Sequence, residues 1–173
     1  MNKSGLIALA FFASTAFVSS AFAHHTPEHG STEQGATPMA TSTAATVPAA
    51  ELSIKSCWVR TMPAQLPSAG YFTITNASST PATLEGLTSD AYASTMLHAT
   101  QNSGGMAKMV MSHSITVPAK GEFVFAPGGH HAMLEKPTRA LAVGQTADFV
   151  FQFAGGVNVT VPCELRAAST LAP

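Results

Sequence analysis

The chain has 173 residues, of which 10% are charged, and its net charge is −1; a typical soluble domain is about 25% charged. Its eight Lys and Arg form no cluster, so nothing in it attracts nucleic acid or an anionic membrane surface. P-loop, G-x-S-x-G, H-E-x-x-H and C-x-x-C signatures are all absent, which removes the best-marked phosphate-binding, hydrolase, zinc-protease and dithiol chemistries.

The chain opens Met1-Asn2-Lys3-Ser4, runs apolar from Leu6 to Phe17, and reaches Ala21-Phe22-Ala23. A charge, a short apolar core and an A-x-A exit predict a secretory signal peptide over residues 1–23, cleaved after Ala23. The apolar run is about a dozen residues, short of the roughly 20 that a membrane-spanning helix needs. The expected destination is a periplasm-like compartment, and the expected mature chain begins His24-His25-Thr26-Pro27-Glu28-His29. Residues 30–50 are small and polar without an apolar period, so 24–50 is expected to be a flexible, His-containing tail and linker.

From Glu51 the texture changes to short β-branched and aromatic runs separated by Gly, Pro, Asn and Ser. The runs are 54–60, 70–76, 82–87, 92–98, 106–111, 115–117, 122–125, 147–153 and 157–163. Phe149, Phe151 and Phe153 alternate cleanly, as do Val157, Val159 and Val161, and Ala154-Gly155-Gly156 between them predicts a hairpin turn. No stretch has a helical apolar period. The expectation is an all-β domain, an antiparallel sandwich or barrel, over residues 51–166 with a short C-terminal tail at 167–173. The two cysteines, Cys57 and Cys163, lie near the ends of this region. In an oxidising compartment they can form one disulfide closing a long loop; the other reading is two buried free thiols.

Eight Met and seven His are many for a chain so poor in charge. His98 ends one predicted strand, Met109 follows after ten intervening residues, His131 after 21 more, and Met133 after one more. Thioether sulfur and neutral imidazole suit the soft ion Cu(I), and methionine is not lost to disulfide formation. His131 and Met133, two apart on a strand, project from one face. Pro127-Gly128-Gly129 presents them, while His98 and Met109 flank a hairpin at Asn102-Ser103-Gly104-Gly105. The four are expected to come from two loops at one end of the sandwich. Singly, each has an ordinary reading as core Met or structural His; their joint spacing argues otherwise.

This spacing resembles the H-x10-M-x21-H-x-M motif of the PCuAC family of bacterial periplasmic copper chaperones. Trp58-Val59-Arg60, Ala69-Gly70-Tyr71-Phe72 and Pro127-Gly128-Gly129-His130-His131 resemble other recurring stretches of that family. The resemblance covers roughly residues 51–166. It implies a cupredoxin-like Greek-key β-sandwich and one exposed Cu(I) site at His98, Met109, His131 and Met133. It also implies copper delivery to the CuA subunit of cytochrome c oxidase, sometimes with a thioredoxin-like copper chaperone as partner. Family members often carry Met just after the first His, where this chain has Ala99-Thr100. Met96, two before His98, leaves an accessory thioether role open.

Among the remaining candidates, Met111 is expected near the site, Met106 in the core and His130 at the surface, while His113 has no spacing argument. His24, His25 and His29 with a free α-amine form a candidate Cu(II) site, since that ion favours nitrogen donors; the alternative is a solvated tail with no specific task. The reading overall is carriage of copper, not catalysis. Rivals are a copper buffer serving resistance, a blue-copper electron carrier and a metal-free adhesion sandwich. The electron carrier requires a Cys ligand with His and Met close behind it, which Cys163-Glu-Leu-Arg does not offer.

Overall fold

A computed structural model of the protein describes residues 46–171, and of Ser103 only the backbone. The expected signal peptide and the His24, His25 and His29 group lie outside the described residues. Ten strands follow in order. They are β1 (Leu52–Arg60), β2 (Ser68–Asn76), β3 (Ala82–Ser89), β4 (Tyr92–Ser103) and β5 (Met106–Met111). Then come β6 (Ile115–Val117), β7 (Gly121–Phe125), β8 (His130–Pro137), β9 (Thr146–Phe153) and β10 (Val157–Arg166). The fold is all-β: among the described residues the only helical turns are 3-10 turns at Ala49–Glu51 and Ala154–Gly156.

Hydrogen bonding runs β5-β4-β8-β2-β1-β10-β9-β3-β6, with β7 also on β2. This path folds over on itself. Phe72 of β2 stacks on Phe125 of β7, 4.2 Å between ring centroids, and meets Phe151 of β9 edge-on at 4.7 Å. Strands β2 and β9 are three apart along the path, so that contact requires the two halves to face each other. The result is a cupredoxin-like sandwich whose layers share β1, which pairs antiparallel with β2 and in parallel with β10. Phe149, Phe151 and Phe153 all point inward, as their alternation predicts, and pack with Leu84, Leu134 and Leu165. The β9–β10 hairpin closes through Gly155 at φ 78° and Gly156 at φ 76°, backbone that glycine adopts without strain.

One irregularity in β1 decides what lies on each face. Ile54 pairs with Ile74, but Trp58 pairs with Tyr71, a register shift between Lys55 and Trp58. Ser56 takes φ 50° there. A bulge of one residue reverses side-chain alternation. Val59 therefore enters the main core, while Trp58 turns to the outer face and forms a separate cluster with Ala69 and Tyr71. Cys57, in the bulge, is joined by a disulfide to Cys163 of β10, with Cα atoms 4.7 Å apart. The bridge fastens the bulge beside the point where β1 and β10 begin to pair.

One expectation changes. The linker was expected to reach residue 50, yet Val47 is buried in the core; a lone Val among small polar residues has no periodicity to announce it. The Asn76 side chain, at the end of β2, is wholly buried. Its amide donates to the carbonyls of Thr80 at 2.8 Å and Pro118 at 3.1 Å and accepts from Ser78 N–H at 3.0 Å.

Candidate metal centre

The outer face of β5, β4 and β8 collects the soft donors. His98 of β4 lies directly opposite His131 of β8 and Met96 opposite Met133; on its other side, His98 opposes Met111 and Thr100 opposes Met109 of β5. Directly opposed residues share a face, and so do i and i+2 on one strand. Met96, His98, Met109, Met111, His131 and Met133 therefore all emerge on one side. The intervening Leu97, Ala132 and Leu134 point the other way, into the core.

His131, Met133 and Met109 line an open cavity of about 310 Å3 together with Arg60, Tyr71 and Thr100. His98 sits beside this cavity rather than in its lining. Its ring is 5.9 Å from that of His131, centroid to centroid, a spacing at which both can reach one ion through nitrogen–metal bonds of about 2.0 Å. The four expected donors are thus neighbours, but not at the end of the sandwich. Strand β4 continues five residues past His98, and the Gly104-Gly105 turn lies beyond the donor set. The set occupies a sheet face, spread over three adjacent strands.

The protonation of His131 follows from its partner. Its Nδ1 is 3.2 Å from the carbonyl oxygen of Gly129, which also accepts from Thr100 N–H at 3.1 Å. A carbonyl can only accept, so Nδ1 carries the proton and Nε2 presents a lone pair. Metal-binding imidazoles are commonly oriented in this way. Burial lowers the pKa of His131 from its ordinary 6.5; the bond to the Gly129 carbonyl opposes this, and the nearby His98, Arg60 and His130 add smaller lowering. His98 is 8% exposed, and its Nδ1 is buried without a hydrogen-bond partner among the described residues. Leaving such an atom unsatisfied costs about 1–3 kcal/mol, which a bound metal ion would relieve.

Burial decides the role of the methionines. Met106, Met109 and Met111 are 76%, 64% and 54% exposed, so none fills the core. Met106, expected inside, is outside because β5 is an edge strand with nothing over its other face among the described residues. His130, expected at the surface, is half-buried, with its ring 4.9 Å from Phe123 and 5.9 Å from Phe125. Sequence reasoning missed Arg60 and Tyr71 as lining groups, although both lie in stretches it had singled out. The Arg60 guanidinium stands 5.6 Å from the Tyr71 ring centroid, and Tyr71 packs on Trp58 at 4.6 Å. Tyr71, backed by Trp58, walls one side of the cavity beside the Arg60 cation. No group of three or more His, Cys, Asp or Glu suited to a metal occurs among the described residues, so the donor set depends on thioethers. Two neutral imidazoles and two neutral thioethers beside a guanidinium suit a soft monovalent ion better than a divalent one.

A family model for LpqE-like lipoproteins matches residues 52–164. Apo-DR1885 of Deinococcus radiodurans is 31% identical over 84% of this chain and 97% of its own, with a TM-score of 0.53. The structure designated CuI-DR1885, from the same organism, is 30% identical over 75% of this chain and 85% of its own, with a TM-score of 0.55. The apo PCuAC domain of PmoF2 is 21% identical over 71% of this chain and 95% of its own; its TM-score of 0.60 shows the same fold. No curated protein matches the chain.

Proposed function

The chain belongs to the LpqE-like family, which residues 52–164 match, and from that premise we propose that it is an exported copper carrier. It binds Cu(I) through His98, Met109, His131 and Met133 and passes the ion to an acceptor, the CuA site of cytochrome c oxidase. The observation that carries this reading is the pairing of His98 with His131 on a face that also exposes thioethers. Exposed methionine gains nothing from packing, whereas a thioether open to solvent can be exchanged for an acceptor's ligand. The solved CuI-DR1885, 30% identical, supports copper as the ion. Arg60 at the cavity rim favours the lower charge of Cu(I) over Cu(II). The acceptor and the periplasmic location rest on the family resemblance and on the signal-like segment at residues 1–23.

Anaerobic Cu(I) competition titration tests the site. His131→Ala and Met133→Ala should each lower affinity by at least about 100-fold, since even the partners that orient metal ligands are worth 10–100-fold. Wild-type affinity in both variants would refute it. Transfer to an apo CuA domain, followed by the growth of CuA absorbance, tests delivery; retention of the ion there would favour the buffer reading.

A further inference from the structure

Soft donors continue along the same face, beyond the four already described. Strand β5 ends at Met111, but the Ser112 N–H still donates to the Leu97 carbonyl at 2.8 Å. This carries the β4–β5 register one step further and brings His113 beside Met96. Met96, Met111 and His113 line a second open cavity, of about 340 Å3, at the edge of β4 just past its pairing with β5, with Leu97 beside them and Glu85, Leu87 and Gln152 across from them. It shares no lining residue with the cavity that holds Met109, His131 and Met133. Met111 is 54% exposed and His113 is exposed as well, so packing accounts for neither. Two thioethers and an imidazole are again the donors that Cu(I) prefers.

We propose that Met96, Met111 and His113 form a second Cu(I)-binding position, weaker than the first and adjoining it through His98. That histidine is the cross-strand partner of Met111 on one side and of His131 on the other. It therefore borders both positions and can serve as the ligand shared by an ion that passes from one to the other. The proposal rests on the first site being a Cu(I) site. With three donors against four and a more open setting, the second position fills only after the first.

The test is anaerobic Cu(I) titration of the full mature chain against a chromophoric chelator, with the methionine methyl resonances recorded at each addition. Wild type should take up a second equivalent at least about tenfold more weakly than the first, tenfold being 1.4 kcal/mol. The Met96 and Met111 methyls should move only with that second equivalent. The combined Met96→Leu, Met111→Leu, His113→Asn variant should keep the first affinity and lose the second step. Methyl shifts at Met96 and Met111 that are absent, or complete within the first equivalent, overturn the proposal, and so does the triple variant retaining both steps. Failure of the first site is distinguishable: His131→Ala with Met133→Ala would then leave the tight step intact.

Discussion

His98 and His131 stand directly opposite one another across β4 and β8, ring centroids 5.9 Å apart. Among the described residues only one of them has its tautomer set by a partner: His131 Nδ1 is held by the Gly129 carbonyl, and His98 Nδ1 is buried without one. The two imidazoles therefore differ in how far each is preorganised, and the site's behaviour should reflect it.

His131 should coordinate through Nε2. In 15N-labelled protein, addition of Cu(I) or Ag(I) should shift the His131 Nε2 resonance strongly and leave Nδ1 protonated. Coordination through Nδ1 would contradict the bond to Gly129.

Acid should weaken the metal-free fold through His131. Its folded-state pKa lies below 6.5, so the unfolded chain binds the proton more readily. Stability is therefore unaffected by this group above about 6.5 and falls as pH drops below that value toward the folded pKa. Urea midpoints measured from pH 7.5 to 5 should decline more steeply for wild type than for His131→Gln. Equal slopes would remove His131 as a source of acid sensitivity. Cu(I) affinity should weaken over the same acid range, because imidazolium cannot ligate.

The disulfide should be a main source of stability. Cys57 and Cys163 are 106 residues apart, and chain-entropy arguments give about 4–5 kcal/mol for a loop of that length. Reduction, or Cys57→Ser with Cys163→Ser, should lower the urea midpoint accordingly. Cu(I) binding should survive if the variant folds, because neither sulfur lines the donor cavity. A Cu(I) affinity lost in a folded double variant would contradict that separation.

Asn76 should be purely structural. Asn76→Ala takes the partner from the Ser78 N–H, while the Thr80 carbonyl keeps the Ser78 hydroxyl and the Pro118 carbonyl keeps the Gly121 N–H. The cost should be about 1–3 kcal/mol, that of one unsatisfied buried group. Cu(I) affinity of the folded fraction should not change. A stable variant, or one with weakened copper binding, would count against this role.

Much of the molecule is legible from local pattern. The aromatic alternation of β9 and the glycine turn before β10 state both the element and the buried face, because a strand's side-chain period of two is written directly in the chain. Strand β8 is different. His130-His131-Ala132-Met133-Leu134-Glu135-Lys136-Pro137 lacks a β-branched residue, and it is a strand because β2 and β4 pair with it from either side. Local propensity yields there to hydrogen-bonding partners that lie far away in sequence.

The sequence by itself determined the types and order of the candidate donors: two imidazoles and two thioethers, with His131 and Met133 bound to share a face wherever that strand went. It also determined an all-β domain with a single pair of cysteines. Only the tertiary structure decided that the donors occupy the face of three adjacent strands instead of the loops at one end. It placed Arg60 and Tyr71 beside them, brought Met96, Met111 and His113 together and joined Cys57 to Cys163. The physical reason is that spacing along the chain constrains neighbours two residues apart but not which strands pair. A one-residue bulge at Ser56–Cys57, which turns Trp58 outward and Val59 inward, is invisible until the register on both sides of it is known.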